Sequence, residues 1–264
     1  MAHGGVDPHE RLGLVVQDMA SAVRQGDDGW LSIPNEPEWP RQRADVIRDR
    51  RRATLFGVLK GTALQRLLSV VATLPIDLPG VRLRHVGEFA SDLSAAGDIG
   101  AIAASAIGQD ARPVRAVLFD KTEAMNWKLG WRQDRTIVVA SRTDVAGFGP
   151  WTTKAGLQHV APPFDLLERM VTLRIHVDPV EQDNAPLQIA LGSHRLGLVP
   201  QPKIQDAVAR CETMACLAEV GDVWMYSTAI LHASDAAAAP RRRRVLQIDY
   251  AAFDLPGGLE WIGV

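Results

Sequence analysis

The sequence predicts a mostly β protein, an antiparallel double-sheet barrel with helices packed outside it. Two observations carry that expectation. Up to about residue 112 apolar residues recur at helical spacing, and from Pro113 onward the chain changes to short runs of period two separated by turn residues. Helices first and many short strands later suit two sheets sharing one core. With 264 residues, 47% of them hydrophobic, one large core can be filled, so a single domain is expected. Its mainly helical part covers 1–112 and its barrel core 113–255.

Within the helical part, Leu12, Leu14, Val15, Met19, Ala22 and Val23 predict an amphipathic helix opening after Pro8. Pro34, Pro37 and Pro40 make Trp30 to Pro40 a loop. A second helical region is expected over about Arg41 to Thr73, from Leu55, Leu59, Leu64, Leu67 and Leu68. The basic segment Arg48 to Arg52 reads as its solvated face, with Asp45 and Asp49 at pairing distance along a helix.

Strands are expected at Val114 to Phe119, Thr136 to Ala140, Thr172 to Val177, Pro186 to Ala190, Asp222 to Tyr226 and Val245 to Ala251. Asp183-Asn184, Gly192-Ser193, Gly221 and Pro240 punctuate them, and Ala236 to Ala239 reads as a flexible connector. In the last strand, alternation puts Arg243, Val245, Gln247 and Asp249 on one face and Arg244, Leu246, Ile248 and Tyr250 on the other. The apolar set suits the cover of the helices. Arg243 then points into the barrel, where a buried guanidinium calls for an anion such as a dicarboxylate.

Composition removes several classes of function. A net charge of -2 gives no chain-wide attraction to nucleic acid or an anionic membrane. The most apolar long segment, Ala53 to Leu74, carries Lys60, Gln65 and Arg66 and falls short of a membrane span. The first residues lack a basic stretch followed by an apolar one, so a soluble cytoplasmic protein is expected. Cys211 and Cys216, placed on or at the end of a helix, read as reduced apolar residues. No dinucleotide fingerprint, phosphate loop or nucleophile elbow occurs.

Several motifs stand in a telling order. Asn126-Trp127 precedes Trp131-Arg132-Gln133-Asp134-Arg135-Thr136-Ile137, followed by Gly192-Ser193-His194, then Gly221-Asp222-Val223 leading to His232-Ala233-Ser234, and Arg243 eleven positions after His232. This series, over roughly 113–255, resembles the phytanoyl-CoA dioxygenase-like branch of the Fe(II)/2-oxoglutarate oxygenases. The resemblance implies a double-stranded β-helix of the jelly-roll, cupin-like kind. It implies Fe(II) and 2-oxoglutarate as cofactors and hydroxylation or a related oxidation of a small-molecule substrate. Asp134 and His232 fall in the places of two metal ligands, expected on neighbouring strands. Arg243 falls in the place that clamps the far carboxylate of 2-oxoglutarate, with Ser234 as its hydroxyl partner, and Lys121 and Asn126 lie in the segment lining that pocket. Trp151, Lys154 and His159 are candidates for the substrate side.

Arg132 stands where the resemblance implies the first imidazole ligand. A guanidinium has no lone pair for a metal, and beside Asp134 its charge favours an ion pair in the space a metal would fill. His159 or His176 could complete the set only by moving in from elsewhere. Three functions therefore stay open: an iron oxygenase, a metal-free isomerase, lyase or cyclase using Arg132, Asp134 and His232 as an acid–base group, and a non-catalytic binding protein. Oligomeric state is left open by the sequence.

Overall fold

The computed structural model describes residues 54–56, 59–75 and 78–264. The helix expected after Pro8, the Trp30 to Pro40 loop and the Arg48 to Arg52 segment lie outside these residues. In chain order the described elements begin with β1 (Thr54–Phe56), α1 (Gly61–Ala72), β2 (Gly80–Leu83), α2 (Ala90–Leu93), α3 (Gly100–Ile107) and β3 (Arg112–Lys121). Then come β4 (Leu129–Arg132), β5 (Ile137–Val139), β6 (Trp151–Lys154), β7 (Leu157–Val160), α4 (Phe164–Glu168), β8 (Val171–His176) and β9 (Leu187–Ala190). The chain ends with α5 (Ile204–Val208), β10 (Thr213–Cys216), β11 (Val223–Ser227), β12 (His232–Ser234) and β13 (Arg243–Ala251).

The strands form three antiparallel sheets. A six-stranded sheet runs β1-β11-β8-β13-β3-β2, a four-stranded sheet β10-β9-β12-β4, and a three-stranded sheet β5-β7-β6. Every strand expected from period two is present within a few residues of its expected bounds. The part of the helical region expected over Arg41 to Thr73 that falls on described residues is corrected in one place: Thr54–Phe56 is a strand pairing with β11, and among the described residues of that region the helix runs over Gly61–Ala72, while 41–53 lie outside the described residues. Gly61 carries a φ of 55°, a backbone turn suited to glycine where the chain leaves the sheet edge and enters the helix.

One face of the large sheet is apolar and covered by helices. Leu118 of β3, Leu173 and Ile175 of β8, and Leu246, Ile248 and Tyr250 of β13 pack with Leu67 and Val71 of α1 and with Leu93 of α2. Ala63, Leu67 and Val71 are the buried positions of α1, four residues apart, so one helix stripe meets the sheet. The Tyr250 hydroxyl donates to the Leu93 carbonyl at 3.1 Å, and Arg66 grips the buried Asp92 carboxylate with two bonds of 2.6 and 2.5 Å. The small sheet has its own core, Ile137, Val139 and Val160 against Leu166 and Leu167 of α4. Cys211 and Cys216 are free: Cys211 follows the end of α5, its N–H donating to the Val208 carbonyl at 2.9 Å, while Cys216 ends a strand and is not on a helix.

The other face of the large sheet carries polar and charged side chains, as the alternation in β13 requires. In register, Arg243 lies opposite Lys121, Gln247 opposite both Val117 and Arg174, and Asp249 opposite Arg115 and Thr172. Several of these groups bond one another. Arg174 donates to Gln247 at 2.9 Å, Arg115 pairs with Asp249 at 3.0 Å, and Thr172 donates to Asp249 at 2.9 Å. A polar column thus runs down the inside of the barrel.

Candidate active site

At one end of that column a pocket opens between the two larger sheets. Lys121, Arg174 and Arg243 line it from the large sheet and Ser234 from the small strand β12, with Phe119, Trp127, Leu129 and Leu187 as apolar wall. Three cations and no carboxylate face the space. Each cation is held on one side and open on another. The Arg243 guanidinium donates to the Ala185 carbonyl, which also accepts from Ser234 Oγ at 3.1 Å, and Arg243 Nε is buried with no partner. Arg174 Nε is also buried without a partner, and its guanidinium sits 5.5 Å from the Phe119 ring centre.

Lys121 donates to the Asp235 carbonyl at 2.8 Å and to Ser234 Oγ at 3.3 Å, and its ammonium lies 5.1 Å from the Trp127 ring centre. Burial, with repulsion from Arg243 and Arg174, pushes the Lys121 pKa down to about 7. Burial and the neighbouring Arg174 likewise push Arg243 down to about 9. A site that makes its own cations reluctant to stay charged is short of one thing, an anion.

Beside the pocket lies the Asp134–His232 corner. His232 is the Cα partner of Arg132 across β12 and β4, and Asp134 follows two residues after β4 ends. His232 is 3% exposed and Asp134 8%. The His232 Nδ1 contacts the Ile230 carbonyl at 3.0 Å. Since a carbonyl only accepts, that nitrogen carries the proton and Nε2 keeps its lone pair. Burial lowers the imidazole pKa, with Asp134 opposing and Arg132 adding to the shift.

Neighbouring residues hold this corner in place. Gln133 donates to the Ala229 carbonyl at 3.0 Å and accepts from the Val199 N–H at 3.1 Å, while Arg135 donates to the Val199 carbonyl at 2.5 Å. The expected ion pair between Arg132 and Asp134 is not formed. Arg132 Nε instead donates to the Gly130 carbonyl at 3.2 Å, and one of its terminal nitrogens is buried with no partner. A side chain rooted opposite His232 follows the strand, and the nearer main-chain carbonyl takes its N–H.

Other expected positions separate from the pocket. Asn126 is not among its lining residues. Its amide is spent on Ala237, donating to the carbonyl at 3.0 Å and accepting the N–H at 2.6 Å. The Ala238 and Ala239 N–H groups donate to the Asp183 carbonyl at 2.8 and 3.2 Å, so the expected flexible connector is tied down. Trp151 and Lys154 lie on β6 and His159 on β7, in the small sheet. Both His159 ring nitrogens are buried without a partner, and burial with Arg115, Lys154 and Arg82 nearby pushes its pKa down to about 3. Arg174, which the sequence reading passed over, is as central to the pocket as Arg243. The signal was available: Thr172, Arg174 and His176 alternate with Leu173 and Ile175, a polar row inside an apolar strand.

The model of the family described as "Phytanoyl-CoA dioxygenase (PhyH)" matches residues 82–245. The chain belongs to the phytanoyl-CoA dioxygenase family. No curated relative matches it. Among solved structures, AviO1 from Streptomyces viridochromogenes Tue57 is similar over 94% of this chain and 96% of its own, at 17% identity and a TM-score of 0.51. EctD from S. alaskensis in its apoform is similar over 86% of this chain and 81% of its own, at 15% identity and a TM-score of 0.57. Another EctD structure, with 2-oxoglutarate and 5-hydroxyectoine, is 14% identical over 88% of this chain and 84% of its own, with a TM-score of 0.55. At such identities the likeness establishes the oxygenase-like fold.

A facial iron site of this fold takes two imidazoles and a carboxylate. Among the described residues no three His, Cys, Asp or Glu side chains come together, so neither His159 nor His176 joins Asp134 and His232. The third group near them is the guanidinium of Arg132, which has no lone pair to give. The donor set does not fit Fe(II). No described helix is long and apolar enough to cross a membrane.

Proposed function

We propose that this phytanoyl-CoA dioxygenase family member binds a small dicarboxylate of the 2-oxoglutarate type between its sheets and acts on a small molecule beside it. The observation that supports this reading is the pocket lined by Lys121, Arg174 and Arg243 with no carboxylate among its walls. Arg243 and Ser234 take the distal carboxylate, Arg174 flanks it, and Lys121 adds a charge that responds to pH. A guanidinium with a free, desolvated N–H binds a carboxylate more strongly than it would in water. Asp134, His232 and Arg132 form the reacting corner. Trp151, Lys154 and His159 are assigned to the substrate side, where a neutral His159 offers one donor and one acceptor to a polar group.

A second reading, a metal-free isomerase, lyase or cyclase, is favoured by one observation. His232 has its proton fixed on Nδ1 by the Ile230 carbonyl, which leaves Nε2 as a base beside Asp134 and Arg132. Calorimetry with 2-oxoglutarate tests the main reading. Loss of a charge-assisted contact costs about 1.5–3 kcal/mol, so Arg243→Lys or Arg243→Ala should weaken binding about 10-fold or more while circular dichroism stays unchanged. Equal affinity in a folded Arg243 variant would make that arginine structural and end the dicarboxylate assignment.

A further inference from the structure

Iron fits this corner poorly, and the misfit itself carries information. Arg132 lies directly opposite His232 in the β4–β12 register, and Leu129 opposite Ser234. Cross-strand partners share a face of the sheet. Leu129 and Ser234 both line the dicarboxylate pocket, and His232 is two residues from Ser234 on the same strand, so Arg132 stands on the pocket's face of the small strand pair. Its Nε is satisfied by Gly130, one terminal nitrogen is buried with no partner, and no ion pair with Asp134 cancels its charge. The result is a permanent positive charge with a desolvated donor, in a corner where a third lone pair would be needed to hold a metal.

Resting on the dicarboxylate reading above, we propose that the chain binds its dicarboxylate without a metal ion, with the Arg132 guanidinium as the fixed cation of the Asp134–His232 corner. The anion is then held between guanidiniums, Arg243 at one end and Arg132 at the other. A planar, charged fork suits a carboxylate or 2-oxo acid group through two parallel hydrogen bonds. The same charge works against a divalent cation, which must enter beside a positive group that does not dissociate.

The test compares wild type, Arg132→His and Arg132→Gln by calorimetry. Each is titrated with 2-oxoglutarate in excess EDTA and again in excess Mn(II), and with Mn(II) alone. Wild type is expected to bind 2-oxoglutarate with the same affinity, within about threefold, in EDTA and Mn(II), and to give no heat with Mn(II) alone. Arg132→Gln, which keeps the bulk and drops the charge, should lose about 10-fold in EDTA, the loss expected of one charge-assisted contact. Arg132→His should lose affinity in EDTA and regain it with Mn(II). Wild-type binding that requires Mn(II), or Mn(II) binding as tight as in Arg132→His, overturns metal independence and leaves the dicarboxylate pocket standing. Absence of 2-oxoglutarate binding by wild type under both conditions overturns the pocket assignment as well. Circular dichroism of each variant separates these outcomes from misfolding.

Discussion

Lys121 is the residue whose behaviour the pocket changes most. Its pKa of about 7 means that it is charged below that pH and neutral above it. Attraction for a dicarboxylate is therefore greatest below pH 7 and declines as pH rises through 7 toward 8.5. Binding should also take up a proton near neutral pH, seen by calorimetry in two buffers of different ionisation enthalpy, and Lys121→Met should flatten the profile. The effect on folding has its own sign: a lysine whose folded pKa lies below its unfolded value of 10.5 costs stability in full below about 7, and the cost fades as pH climbs toward 10.5. Urea midpoints across that range check it. At this scale the placement of Arg243 and Ser234 in one pocket wall was legible from their positions after His232. The bonds of the Asn126 amide to Ala237 were not, because an amide that seals a loop and one that binds a ligand look alike in sequence. His159→Phe is expected to leave 2-oxoglutarate affinity within about twofold while weakening substrate binding, which titrating each ligand would show.

Long strands announced themselves most clearly, and of the described strands of three or four residues only β5 and β9 did so. β3, β8 and β13 have enough alternations for one face to separate from the other, and in β13 Leu246, Ile248 and Tyr250 go under the helices while Arg243, Gln247 and Asp249 go inside. β4, β6, β7, β10 and β12 have three or four residues each. A run that short shows no reliable period, and tertiary pairing decides its state. The helix over Gly61–Ala72 was legible in type but not in extent, since nothing in the leucine spacing marks where a strand at the sheet's edge gives way to it. Leu67 is fully buried at its centre. Leu67→Ala should lower unfolding free energy by about 2–5 kcal/mol in urea denaturation, with little change in dicarboxylate affinity because the helices lie on the face of the sheet away from the pocket. The helix begins at Lys60 with no side-chain cap, so Lys60→Ser is expected to stabilise the fold by about 0.5–1 kcal/mol in the same assay.

Across the whole molecule the charge distribution matters more than its sum. A chain with a net charge of -2 concentrates three buried cations at one pocket, so its field at that mouth opposes the sign of the protein as a whole. The two faces of the large sheet divide the labour, one packed for stability and one left polar for binding. The Asn126 and Asp183 bonds to the Ala236 to Ala239 segment connect these scales. Slack in a loose tether would be absorbed at little entropic expense, whereas a pinned tether acts as a gauge block that sets the span between His232 on one sheet and Arg243 on the other. The alanines there are then a measured length, and removing one of them should misalign the two sides of the pocket and weaken 2-oxoglutarate binding as much as losing a contact residue does.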